Sequence, residues 1–489
     1  MDEELRERWL NQHFLRRLWR RKHLYQRFLN ATVMTEDSGI QNMRNLKIKS
    51  AKNSTIEFLR FIFAVIVVLH HSRYILGDDH CYFLGGSLAV EFFLFVSGYL
   101  LMASVERTQQ REKNVAAEDL GNRNALTSDG RRGELTQAKS EWSTLPSTCS
   151  RPGLGSETLH FILRKIKSFL PEFLIAWGIG FVFVALVRRW SLGQMWDAFR
   201  DDFWELTLVK MSGLFTHGID GVMWYLSAML LAMAVLYPLL RKFRDVMSHL
   251  VCPLTALFLY GYLCREQGHP RDPVVWTGLF YKGLLRTMAG LCVGIVIYLA
   301  VKCWKRCTPQ GLTAAGNVLA GAAELVLLVI TIRYMYLGKP SEEDYFFMFL
   351  LMLLVLLAFA GGGVEAWLQG GRTCRGQEQE TAESISESGT QSETDGASKS
   401  EFARSVGHPR MRQLAGWLGR YSLPLYLGHL YFAQHMNEIP ALAALSGQKR
   451  MLVYLILAAG NALLIMWLAG IWRRREKAAK AGLRRFLIR

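Results

Sequence analysis

Apolar runs about twenty residues long recur along the chain, each close to the length a helix needs to cross a bilayer. Ten can be read: Ile56 to Leu76, Phe83 to Ala103, Phe169 to Val187, Val222 to Leu240, Val246 to Cys264, Gly283 to Val301, Leu312 to Ile332, Tyr345 to Ala360, Leu414 to Phe432 and Leu452 to Trp472. The pattern predicts an all-α integral membrane protein with about ten transmembrane helices. Two polar stretches interrupt the series, one from Val105 to about Thr158 and one from Gly370 to Arg404 that contains QEQETAESISESGTQSETDGASKSE. Too little apolar surface is available there to offset the entropy of ordering the chain. Both are expected to be flexible loops within one membrane domain over residues 55–472, preceded by a basic segment, 1–54, and followed by a basic tail, 473–489.

Charge orients this domain. The formal net charge of +17 raises the question of nucleic acid, but the cations sit at membrane edges. Twelve Lys/Arg against six acids precede the first span, and the tail RRREKAAKAGLRRFLIR holds eight against one. Both termini are therefore expected in the cytoplasm, as are both polar inserts, RKFR at Arg241 and KCWKR at Lys302, while GDDH at Gly77 falls outside. No nucleic-acid motif accompanies the charge, so no nucleic-acid partner is expected. Residues 5–29 interleave Leu, Trp and Phe with Arg and Lys, which fits either a helix held on the inner membrane surface by anionic lipid or a solvated basic helix.

The eight cysteines form neither a disulfide framework nor a zinc pattern, and no metal site is expected. No cleavable leader is apparent, because the first apolar run follows about fifty polar residues. The outer connection from Arg188 to Gly221 carries Trp190, Trp196, Trp204, His217 and Asp220, a set suited to an interfacial aromatic belt or to stacking on a sugar ring. Gly290 and Gly294 form a GxxxG of the kind that lets helices approach closely.

Ionisable residues inside the spans are costly and select for function or pairing. In RFIFAVIVVLHH, Arg60 and His71 are eleven residues apart, about three turns plus 20°, so they share a helix face roughly 16 Å apart along the axis. His70 points about 100° away. Glu91 in the second span falls at about the depth of His71, where a carboxylate would orient an imidazole, and Ser97 falls near the depth of Arg60. GRYSLPLYLGHLYF in the ninth span places Ser422, Tyr426 and His429 on nearby faces, with His429 in the outer half. Structural readings compete with these: an interfacial His71, a snorkelling Arg60, or a Glu91 paired with another helix.

IEFLRFIFAVIVVLHH resembles the first-span signature of the membrane acyltransferase 3 family, a basic residue followed after ten others by histidine, with Glu57 in the acidic position before it. GGSLAVEFFLFVSGYLL resembles the family's FFxxSG pattern through Phe92, Phe93, Ser97 and Gly98. RKIKSFLPEF from Arg164, WYLSAMLLAMAVLYPLL from Trp224 through Ser227, and YSLPLYLGH from Tyr421 are similar to later family patterns. One departure is that no acid follows the WxLS, where many relatives carry one.

The resemblance implies transfer of an acyl group, most often acetyl, from cytoplasmic acetyl-CoA or another acyl-CoA to a hydroxyl of a cell-surface or cell-wall glycan, in a bacterial plasma membrane. The acyl-CoA is a co-substrate, and no bound cofactor is implied. On this reading Arg60, Arg164 and Lys167 hold donor phosphates, His71 takes the acceptor proton and Glu91 orients His71. The role of Ser97, the choice between His70 and His71 as base, the acceptor and the oligomeric state stay open. The alternative is a transporter or flippase, since buried charges also mark permeation paths; the lack of an inverted repeat and of a pair of broken helices weighs against it.

Overall fold

The computed structural model describes residues 53–77, 80–128, 153–213, 221–309, 311–369 and 408–488. The basic segment at 5–29, the insert over 370–404, His217 and Asp220 lie outside the described residues.

Asn53 opens the first helix, α1 (Ser54–His70), by accepting from the Ile56 amide at 2.9 Å. Glu365 accepts from the Thr55 amide at 2.9 Å and from its hydroxyl at 3.1 Å. Side-chain oxygens thus satisfy N–H groups that a first helical turn leaves unpaired, with an anion where the helix dipole favours one. The chain continues through α2 (Ala89–Ser128), α3 (Leu154–Val187), α4 (Leu192–Leu206), α5 (Trp224–Lys242), α6 (Cys252–Gln267) and α7 (Lys282–Cys307). Then come α8 (Ala314–Leu337), α9 (Glu343–Ala360), α10 (Gly363–Gln369), α11 (Pro409–Leu427), α12 (Leu430–His435) and α13 (Gly447–Ile488). Among the described residues the only β pairing is a single bridge between Trp276 and Tyr281. The protein is an all-α polytopic membrane protein.

Nine helical stretches among the described residues are long and apolar enough to cross a membrane. The expected tenth, Leu414 to Phe432, is not one of them. Its helix α11 starts earlier, carries Arg410, Arg412 and Arg420, and stops at Gly428. A Cβ on Gly428 would collide with the Asn461 amide, which donates to Gly428 O at 2.8 Å and to the Tyr431 hydroxyl at 2.5 Å. The chain restarts as α12, leaving His429 in the break. A second break separates α9 from α10, where Gly361 and Gly363 have φ of 85° and 58° and Glu324 accepts from the Val364 amide at 3.2 Å. Two interrupted helices are therefore present where the sequence suggested none.

The first polar insert begins as helix. α2 runs on to Ser128, fixed by Glu106, which pairs with Lys302, Tyr298 and Arg244, and by Glu112, which accepts from Arg241 at 2.6 Å. Residues 473–488 likewise continue α13, with Arg473 held to Glu172 at 2.5 Å.

Burial ranks the helices. In the stretches containing α2 and α5, 67% of the apolar window is buried, against 11% for α8, so α2 and α5 are central and α8 is peripheral. The central contact is α2 on α7. A Cβ on Gly294 would stand 2.7 Å from Gly98 Cα, and one on Gly290 would stand 2.8 Å from Leu94 Cβ. Small residues let the two backbones touch, which is how helices associate when lipid removes the hydrophobic drive. Both helices start at the same end of the bundle, so they pack in parallel with a fixed register.

Candidate active site

α1 ends at His71, and the Val67 carbonyl, one turn back, accepts the His71 backbone N–H at 3.3 Å. The ring turns onto the same carbonyl, with Nδ1 2.8 Å from Val67 O. His429, fully buried, repeats this arrangement in the break after α11: its Nδ1 lies 3.1 Å from Leu425 O. The two rings meet, His429 Nε2 lying 3.1 Å from His71 Nδ1 with centroids 5.0 Å apart.

The hydrogen positions follow from these partners. A carbonyl only accepts, so His429 Nδ1 carries its hydrogen to Leu425 O and Nε2 holds a lone pair. His71 Nδ1 likewise carries hydrogen, shared between Val67 O and His429 Nε2. Both imidazoles are then neutral, and the lone pair of His71 sits on Nε2, which has no hydrogen-bond partner among the described residues. Tyr74 stacks on the ring at 6.1 Å, nearly parallel to it. The arrangement orients a base and leaves its basic nitrogen unused.

His70 faces elsewhere. Its Nδ1 donates to Phe83 O at 2.8 Å, and its Cβ lies where a side chain on Gly86 would have to go. It ties the end of α1 to the connection leading into α2, although its Nε2 is also unpartnered among the described residues.

Glu91 does not orient His71. It is fully buried in an ion pair with Arg286 Nε and accepts from the Tyr260 hydroxyl at 2.8 Å. Depth along a helix matched Glu91 to His71, but the carboxylate faces α7 whereas His71 faces α11. Arg286 also donates to Ser87 O at 2.7 Å and lies 5.7 Å from the Trp224 ring. Sequence reasoning missed Arg286, although an arginine inside the apolar run Gly283 to Val301 is a strong signal of a buried partner.

The other family positions knit the bundle around this centre. The Ser97 hydroxyl lies 3.1 Å from the Tyr225 hydroxyl, joining the FFxxSG and WYLS stretches. Ser227 accepts from the Met211 amide at 3.0 Å, Ser422 donates to Gly419 O at 2.8 Å, and Tyr426 donates to Val222 O at 3.1 Å. Phe92 stacks on Phe63 at 4.6 Å, and Phe93 meets Tyr426 at 6.1 Å and Tyr225 at 6.4 Å. Arg60 is one third exposed and 3.5 Å from Glu57. Arg164 is exposed, and Lys167 lies 3.4 Å from Glu476. No contact joins these three cations to one another among the described residues.

The described residues thus form a many-helix membrane bundle with a carbonyl-oriented histidine pair at one end. The family model described as an acyltransferase domain, that of acyltransferase 3, matches residues 53–470, and the chain belongs to that family. The protein is a multi-pass membrane acyltransferase. No curated protein and no solved structure matches the chain.

Proposed function

We propose that the protein moves an acetyl group from cytoplasmic acetyl-CoA to a hydroxyl of a cell-surface or cell-wall glycan in a bacterial plasma membrane. The observation that carries the mechanism is the His71 ring, whose Nδ1 is held by Val67 O and His429 while Nε2 keeps a free lone pair. His71 Nε2 takes the proton of the acceptor hydroxyl as its oxygen attacks the thioester carbonyl carbon. The new C–O bond forms, the C–S bond breaks, and the imidazolium returns its proton to the departing thiolate. His429 holds the ring so that this nitrogen faces the acceptor. Arg60, in the first half of α1, together with Arg164 and Lys167 in the first half of α3, supplies cations for the donor phosphates.

The test is transfer from radiolabelled acetyl-CoA to candidate glycans by the purified full-length protein. His71→Ala is expected to abolish transfer, by about two to four orders of magnitude, and a variant that retains full transfer would remove His71 as base. Arg60→Ala is expected to weaken acetyl-CoA binding in a folded protein. Unchanged donor affinity would remove that role. Transport without transfer, the rival reading, gains from the two interrupted helices, and would be supported by glycan flux in vesicles with no label incorporated.

A further inference from the structure

The face of α7 at the His71 end of the bundle carries more positive charge than its surroundings balance. Lys282 and Arg286 are one turn apart on this helix, and both are fully buried. Arg286 is paired with Glu91, and the neighbouring Arg271 is paired with Asp344 at 2.5 Å. Three buried cations thus meet two buried carboxylates, so the charge of Lys282 is opposed closely only by an acid open to solvent. The carboxylates acting on Lys282 are Asp272 and Asp344; Asp272 has a side chain that is 59% exposed, and Asp344 is committed to Arg271. Neither makes a hydrogen bond to Lys282. A buried ammonium without a partner is expensive, as is a buried guanidinium nitrogen.

Three buried donors on these two helices have no hydrogen-bond partner: Lys282 Nζ, Arg286 Nη1 and the Ser87 hydroxyl. The parallel register of α2 and α7 places their residues at neighbouring positions. Gly98 sits against Gly294, Leu94 against Gly290 and Glu91 against Arg286, so one turn further Ser87 comes opposite Lys282. The Ser87 carbonyl already accepts from Arg286 Nη2 at 2.7 Å. Ser87 follows Gly86, against which His70 packs, so the donors lie near His70, the chain neighbour of His71. Residues 268–281 fold back over the start of α7, with Val275 O and Pro273 O accepting from the amides of Lys282 and Gly283 at 2.8 Å each.

We propose that Lys282, Arg286 and Ser87 form a binding site for one singly charged anionic oxygen group, a carboxylate or a phosphodiester, carried by the acceptor. Such a group neutralises the surplus charge and accepts from all three unpartnered donors. The proposal rests on reading the His71 end as the acceptor side, and makes acidic glycans the preferred substrate class.

The full-length protein in detergent micelles is heated with sodium glucuronate, with sodium dimethyl phosphate, with glucose, or with sodium chloride at matched ionic strength. At least one of the two anions is expected to raise the unfolding midpoint saturably, whereas glucose and chloride do not. Which anion acts tells carboxylate from phosphodiester. Lys282→Met is expected to weaken the apparent affinity about tenfold or more, and Ser87→Ala about threefold. Ser87→Ala carries the test if Lys282→Met fails to fold. An anion effect matched by chloride, or one unchanged in the folded variants, overturns the site. No donor is present in this measurement, so its failure leaves acetyl transfer standing, and a failed transfer assay leaves the anion site standing.

Discussion

His429 Nε2 accepts from His71 Nδ1 at 3.1 Å, across 358 residues of sequence, and so joins the Val67 carbonyl in holding the ring with Nε2 left basic. His429 is thus a positioning residue. His429→Ala removes the acceptor and frees the His71 ring to turn, while Val67 O still binds Nδ1–H. The expected loss in kcat is about tenfold, the worth of one buried hydrogen bond, with KM for acetyl-CoA unchanged. His429→Gln, which can present an acceptor oxygen at similar reach, is expected to recover part of it. Steady-state kinetics on the folded variants decide the matter: equal changes in both parameters, or no rescue by Gln, would count against positioning.

His70 and His71 are neighbours with different duties. His70 holds Phe83 O at 2.8 Å and packs against Gly86, so His70→Ala is expected to lower the unfolding midpoint through the connection into α2 while keeping most of the transfer rate per folded molecule. A His70→Ala protein as inactive as His71→Ala, yet equally stable, would exchange the two roles.

The Glu91–Arg286 pair is structural on this geometry, being fully buried and bonded also to Tyr260 and Ser87. Arg286→Met leaves an uncompensated carboxylate and is expected to cost about 3–5 kcal/mol. The double variant Glu91→Gln, Arg286→Met removes both charges and is expected to recover a large part of that loss. Thermal unfolding of both single variants and the double variant gives the coupling. A Glu91→Gln protein of normal stability and low kcat would restore Glu91 to the chemistry.

How far the sequence reaches is visible in these same residues. Apolar run length predicted the helices well, because the bilayer sets that length. It failed at α11, where three arginines and the Gly428 break depart from a simple span. The eleven-residue spacing of Arg60 and His71 singled out the histidine, but no single-helix geometry reports which helix comes to face it. Depth alone therefore pairs Glu91 with His71, whereas its partner is Arg286, a charge inside an apolar run. Helix continuation through Glu106 and Glu112 was hidden because the ion pairs that hold it come from residues more than a hundred positions away.

Backbone contact between α2 and α7 sets the register on which both the Glu91–Arg286 pair and the proposed anion site depend. Gly294→Val places a branched side chain against the Phe95 carbonyl and Gly98, rigid neighbours that cannot move aside. The expected cost is about 1–3 kcal/mol or more, read as a lower midpoint and less folded protein. Gly261 on α6, where nothing lies within 4 Å of an added Cβ, is the control, and Gly261→Ala is expected to be nearly neutral. Equal effects at both positions would mean that the close approach is not what the glycine serves.

Arg188, just past α3, grips Glu438 through two hydrogen bonds of 3.1 and 3.0 Å, and this contact, helped by His435, holds the Glu438 carboxyl down at about 2. A lowered folded-state value means that the contribution is complete above the unfolded carboxyl value near 4.5 and is lost as pH falls toward 2. The Glu438 side chain is 37% exposed, so solvent screening limits the pair to about 0.2–1 kcal/mol. Arg188→Gln is therefore expected to lower the unfolding midpoint slightly at pH 7, with the difference from the parent shrinking from pH 5 downward and weakening in high salt. Midpoints measured for both proteins between pH 3 and pH 7 check this. A gap that stays constant across the range would show that Arg188 stabilises the end of α3 by packing and not through the charge of Glu438.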